Sequence, residues 1–155
     1  MDYRGAVSTD TLLVVDAENV EFRQGGPAIG GVWLVTEGDA FPQVGWSDFV
    51  VVLLCWWAGA LLKVIHNEDM QTRVPFMDGP YAVDVARSFG MLKFRMIARD
   101  REVSTGEAAV KPFVVELASQ SHRVLDTCRS KEWWSTDADA LESLLEELER
   151  EIRRL

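Results

Sequence analysis

Cysteine is nearly missing from this chain. Two occur in 155 residues, Cys55 and Cys128, and neither belongs to a CxxC. Two thiols cannot make a disulfide framework. A chain of this length buries roughly two-thirds of its unfolded surface without one. Reduced, buried thiols in a cytoplasmic protein are the expectation. Basic charge is also short: 16 Lys plus Arg stand against 25 Asp plus Glu, a formal net charge of −9. Nucleic-acid phosphates are gripped by basic stripes, so this balance speaks against a nucleic-acid partner. It equally disfavours an anionic membrane surface. The opening Met1-Asp2-Tyr3-Arg4-Gly5 lacks the cationic and apolar parts of a signal peptide. No apolar run reaches the ~18–20 residues of a membrane span. The longest, Phe49 to Leu62, is closed by Asp48 and Lys63.

That run is nevertheless the strongest structural signal in the chain. It contains Cys55, Trp56 and Trp57 and no charge. Ser47 reads as an N-cap and Asp48 as a first-turn acid, which suits the positive end of a helix dipole. A helix over about 47–65 follows, with Lys63 and His66 at the end that favours positive charge. A helix apolar on all sides must be covered on several of them. Adjacent tryptophans on one helix point about 100° apart, so both are buried only under broad cover.

Residues 1–10 read as a loose leader, and 11–155 as one domain. Thr11–Val15 is strand-like, and Val20–Arg23 alternates with period two, as a hairpin or a continuous irregular strand. Gln24–Gly31, with four glycines and Pro27, reads as a loop, followed by a short buried strand Val32–Thr36. Gln71–Phe76 is a strand whose Pro75 marks an edge or a bulge. Asp78-Gly79-Pro80 is a turn. Tyr81–Arg87 and Leu92–Met96 alternate as two further strands, joined at Ser88-Phe89-Gly90, and Arg99–Glu102 closes this meander with charge. After Gly106 the period becomes helical, with Pro112 in the first turn and Trp133-Trp134 at the end. Ser135-Thr136-Asp137 caps a last helix to about Arg154, whose stripe is Leu141, Leu144, Leu145, Leu148, Ile152 and Leu155. The fold class expected is α+β: an antiparallel sheet of about five strands packed against a central apolar helix and two C-terminal helices.

Reactive chemistry has little to work with. His66, His122, Cys55 and Cys128 lack the paired spacing of a structural metal site. Cys55 sits mid-helix in the most apolar run, and Cys128 late in a helix, where the dipole disfavours a thiolate. Asp48 and Asp78, set among aromatic residues, are the carboxylates most suited to acid–base work. A helix-terminus role for Asp48 and a turn role for Asp78 outweigh that reading. The glycines at 25, 26, 30 and 31 match no phosphate-loop pattern. No cofactor is indicated. The last helix carries seven acids and three bases between Asp137 and Arg154. Its Asp139, Glu142, Glu146 and Glu149, together with Trp134, form the candidate partner-binding face; an ordinary solvated face is the alternative.

One combination of motifs goes further. Phe41-Pro42 is followed by Gly45-Trp46-Ser47-Asp48-Phe49 and by Trp56-Trp57 in the apolar helix. Downstream stand Phe76-Met77-Asp78-Gly79-Pro80-Tyr81, then Cys128, Trp133-Trp134-Ser135 and Asp137. This set, spanning about 41 to 148, resembles a group of small bacterial proteins associated with immunity proteins of polymorphic or contact-dependent toxin systems. The resemblance implies a non-enzymatic inhibitor that binds a cognate toxin effector domain tightly in the cytoplasm, without catalytic residues. An acidic surface suits effectors whose phosphate-binding sites are basic. The alternative expectation is a small structural or adaptor protein that acts through oligomerisation, for instance as a homodimer joined by exposed tryptophans.

Overall fold

The computed structural model describes residues 10–67 and 70–155. All of the expected leader but Asp10 therefore lies outside the described residues. The elements in chain order are β1 (Leu12–Val15), β2 (Glu21–Phe22), β3 (Ala28–Thr36), β4 (Asp39–Phe41), β5 (Ser47–Phe49) and α1 (Val50–His66). There follow β6 (Gln71–Pro75), β7 (Tyr81–Ser88), β8 (Met91–Ala98), β9 (Arg101–Ala109), α2 (Val110–Ser130) and α3 (Thr136–Arg154). The class is α+β, with the apolar helix central and two helices at the C-terminal end. The strands form two antiparallel sheets, one of five and one of four.

β3 organises the first sheet. Its far half pairs with β1, Val32 to Val35 opposite Val15 to Leu12, and its near half with β2, Ile29 opposite Glu21. β4 and β5 divide its length in the same way. β1 and β2 are therefore one irregular strand along β3 rather than a hairpin. The strand starts at Ala28, earlier than the glycines suggested, and buries every second residue. Gly30 and Gly31 belong to it, not to a loop. They face Asp48 and Ser47 of β5 across the ladder. That pairing explains why α1 does not start at Ser47: residues 47–49 are held extended, and Phe49 caps the helix with no side-chain bond. Ladder hydrogen bonds outweigh a local capping preference here.

β6 to β9 make a simple meander. Arg99 and Asp100 form the two-residue turn from β8 to β9, both at positive φ, +52° and +65°. Primed turns of this kind favour Asn-Gly or Asp-Gly. With Arg-Asp in their place the sequence gives no hairpin signal, and the expected charged closure is in fact the start of β9. Most of β9 is exposed or half-exposed, so it also lacks the apolar alternation that marks a strand.

Val83, Val85, Leu92, Phe94 and Met96 turn inward and join α1, α2 and α3 in one buried cluster. At its centre the rings of Trp57, Phe94 and Phe113 meet at centroid distances of 5.0–6.2 Å. The two tryptophans of α1 part as helix geometry requires: Trp57 is buried and Trp56 is 37% exposed. No described helix is long and apolar enough to cross a membrane. The two sheets meet where Thr11 N–H donates to Glu107 O at 2.8 Å. α2 seals the outer edge of β1 with one side chain. Gln120 Oε1 accepts from Val15 N–H at 2.7 Å, and its Nε2 donates to Leu13 O at 2.6 Å.

The outer face of the second sheet carries a cross-strand row of charge. Arg73, Asp84 and Arg95 are register partners on β6, β7 and β8. Asp84 is only 4% exposed, and Arg73 grips it through Nε at 2.7 Å and Nη2 at 3.1 Å. The Arg73 guanidinium holds the carboxyl below the usual carboxylate range, against the opposing cost of burial, and Arg95 assists. A depressed folded pKa contributes stability above the unfolded value, about 4, that is lost as pH falls through the folded one. Asp84→Asn is expected to cost about 1–2 kcal/mol at pH 7, a moderate figure because both arginines are half-exposed. The gap from the unaltered protein should close as unfolding is measured at pH progressively below 4.

Candidate functional site

The acidic face of α3 and Trp134 lie at the corner where α2 turns into α3. α2 ends at Ser130, short of the tryptophans. Glu132 takes a positive φ of +54°, and Ser135 Oγ accepts from Ala138 N–H at 3.1 Å to open α3. The chain thus reverses within five residues, and the two tryptophans occupy the reversal. Trp133 turns inward: its ring lies 5.6 Å from that of Phe22, and its Nε1 donates to Gly26 O at 3.2 Å. Trp134 turns outward and is 38% exposed. Its Nε1 donates to Asp139 Oδ1 at 2.8 Å, and the Arg129 guanidinium lies 4.6 Å from the ring centroid. Arg129 also pairs with Glu142 and, at 3.4 Å, with Asp126. An exposed indole clamped by a carboxylate and a guanidinium has few rotamers left to lose on binding.

Of the five predicted face residues, Trp134, Asp139 and Glu142 come together around Arg129. Glu149 lies further along α3 and pairs with His122 of α2. Glu146 stands exposed between Glu142 and Glu149 on the same side of the helix. Glu151 is held by His66, at the end of α1, at 3.1 Å, and His66 draws its carboxyl below the usual range. Three of the seven acids of α3, Glu142, Glu149 and Glu151, therefore face Arg129, His122 and His66 on α2 and α1, and among the described residues the other four do not. Sequence reasoning missed Arg129, since its pairing with Glu142 depends on how α2 folds back on α3. It read Gln24–Gly26 as part of a loop but missed its place: the turn Arg23–Gly26 walls a cleft of about 570 Å³ against Lys131–Ser135. A neighbouring recess of about 240 Å³ continues past Trp133 to Val52 and Asp137.

Three of the motifs that carried the resemblance, Phe41-Pro42, Gly45–Phe49 and Phe76–Tyr81, meet elsewhere, at the junction of β4, β5 and the β6–β7 turn, while Trp133-Trp134-Ser135 and Asp137 line the clefts of the corner just described. The rings of Phe41, Trp46, Phe76 and Tyr81 pack mostly edge to face at 5.2–6.3 Å. The Phe41–Pro42 peptide is cis. Asp48 is 2% exposed beside them. It accepts from Trp46 Nε1 at 3.0 Å, Phe49 N–H at 2.7 Å and Asp78 N–H at 3.3 Å. The two carboxylate residues singled out from the sequence thus meet across thirty positions, but through the backbone of Asp78. Asp48 pins the Asp78-Gly79-Pro80 turn onto β5. Gly79, at φ +74°, leaves the space that Tyr81 fills. Neither carboxylate lines the clefts just described.

Both thiols are poor nucleophiles. Burial pushes Cys55 up to about 11, with the Asp137 charge adding to the effect, and burial pushes Cys128 up to about 11. At neutral pH they are protonated. Among the described residues no three His, Cys, Asp or Glu side chains cluster as metal ligands. Comparison with protein-family models, curated proteins and solved structures finds no match.

Proposed function

We propose that this chain is a non-enzymatic, immunity-type protein that binds and neutralises a cognate toxin effector domain in the bacterial cytoplasm. The observation that carries the reading is Trp134: a large exposed indole held in place by Asp139 and Arg129, at the rim of the largest cleft described. Pre-positioned tryptophan is the residue type that dominates protein interfaces. Glu142, Glu146 and Glu149 extend from it as an acidic track suited to a basic effector surface.

Co-expression with a toxin domain encoded beside this chain, scored by cell survival and by pull-down, tests the function. Within such a complex, Glu146→Lys combined with Glu142→Lys and Glu149→Lys is expected to slow association roughly tenfold at low salt and to flatten its salt dependence. Because Glu142 and Glu149 also pair with α2, Glu146→Lys alone is the control that leaves those pairs intact. Trp134→Ala should act on the dissociation rate instead, by roughly thirtyfold if the indole is a hot spot. An association rate unchanged across a salt series excludes this face. The exposed indole beside a cleft also suits a homodimeric adaptor. Size-exclusion chromatography of the isolated protein distinguishes the two, with a monomer expected here.

A further inference from the structure

The second sheet ends on a strand whose outer edge no described strand pairs. β6 pairs with β7 alone among the described residues. Phe76 N–H donates to Tyr81 O at 3.0 Å, which sets the phase of the ladder. Residues 72, 74 and 76 exchange bonds with β7, while 71, 73 and 75 direct their backbone groups away from it. Pro75 belongs to the outward set, where its missing N–H breaks no bond. Beside this edge runs a groove of about 320 Å³, bounded by Arg73 and Pro75 of β6 and by Trp56, Gly59 and Lys63 of α1.

Gly59 is the anomaly in that groove. A Cβ placed on it would meet nothing within 4 Å, so no packing within the chain demands glycine. Mid-helix glycine costs about 0.5–1 kcal/mol relative to alanine. A residue without a side chain on an open helix stripe leaves room for something to approach the backbone closely. Among the described residues the charged side chains that line the groove, Lys63 and Arg73, are both positive; Arg73 also holds Asp84, so an acidic ligand would share its guanidinium.

We propose that this groove takes up an extended, acidic segment of a partner protein, added to the second sheet as a further strand beside β6. The outward N–H and C=O of Arg73 supply the main-chain bonds. An apolar side chain of the segment enters the space over Gly59 against Trp56, and an acidic one lies across from Arg73. A second copy of this chain is a poor occupant. Two β6 strands paired antiparallel over their full length would set Arg73 opposite Arg73, and like charges directly opposite are destabilising; a shift of two residues avoids this only by shortening the pairing of a five-residue strand. The groove shares no lining residue with the clefts at the Trp134 corner, so the proposal does not depend on the immunity reading.

Selection from a random peptide library displayed on phage, against the full chain, tests this directly. Enriched peptides should alternate apolar residues with Asp or Glu. They should bind the unaltered chain roughly tenfold or more tightly than the Gly59→Leu chain, in which a side chain fills the groove. Gly59→Leu places its side chain in open space on a helix, and an unlowered Tm checks that the fold survives. Lys63→Glu, a surface change, should weaken the same peptides several-fold. Bound peptide should slow hydrogen exchange at the Arg73 amide and leave Thr72 and Val74, already bonded to β7, unchanged. Recovery of no peptide or of basic peptides overturns the proposal. So does equal binding to both variants, or an Arg73 amide that exchanges as fast with peptide as without it.

Discussion

Gln120→Leu is expected to lower the free energy of unfolding by about 2–4 kcal/mol, among the largest effects of any single substitution in this chain. The side chain replaces a neighbouring strand. Its amide accepts from Val15 N–H and donates to Leu13 O, two bonds that a paired strand would make on that edge. Gln120 and Leu13 are both buried, so water cannot take over the freed groups. Leucine nearly matches glutamine in volume, and the loss therefore reports on two stranded backbone groups rather than on a cavity. Gln120→Glu sharpens the test. It retains an acceptor for Val15 N–H but sets a carboxylate against Leu13 O, and it should be at least as damaging at neutral pH. Denaturant unfolding, with the slope unchanged and the midpoint lowered, is the measurement. A midpoint within error of the parent would mean that the edge of β1 does not depend on this amide.

Gly106→Ala should cost about 2–3 kcal/mol, and Tm should fall by roughly 5–10 °C. Gly106 lies in β9 where the second sheet meets the first. An added Cβ would overlap the Thr11 hydroxyl and approach Thr36 Oγ1 to 2.9 Å. The backbone cannot back away, because Thr11 N–H is bonded to the carbonyl of Glu107, the next residue. Thr11 is fully buried, and its Oγ1 finds no hydrogen-bond partner among the described residues. That permits a rescue: Thr11→Ala removes the obstructing oxygen without breaking a bond. The double variant should recover more than half of the loss, a coupling that two independent sites would not show. Additive losses would exclude the steric account.

The parts of this architecture that could be read from the sequence are those whose signal is local. α1 is evident from an uninterrupted apolar run, β7 and β8 from alternation, and α3 from a leucine stripe with Ser135 ahead of it. What escaped depends on distant partners. Ser47-Asp48 looks like a helix start because the composition fits, and only pairing with Gly31 and Gly30 makes it a strand. β9 has almost no apolar face, since it lies at the border of its sheet, and Arg99-Asp100 hides the hairpin that begins it. The candidate site divides in the same way. Trp134 and the acids of α3 are legible as an aromatic beside a charged helix. Their tie through Arg129, thirteen residues before Glu142, is fixed by the reversal at Glu132. Asp48 shows how a plausible catalytic carboxylate resolves into an acceptor for three N–H groups once its neighbours are in place.

The seal on β1 has a consequence for biosynthesis. Leu13 and Gln120 are separated by 107 positions, so the ribosome emits the first strand long before its cover. At about 5–20 residues per second, that border stands open for roughly 5–20 s of translation. During this interval Leu12 to Val15 offers unpaired amides to any passing chain. A nascent polypeptide of this kind is a natural client for chaperones that act at the tunnel exit, and slowing elongation between codons 16 and 120 should raise the fraction lost to aggregates.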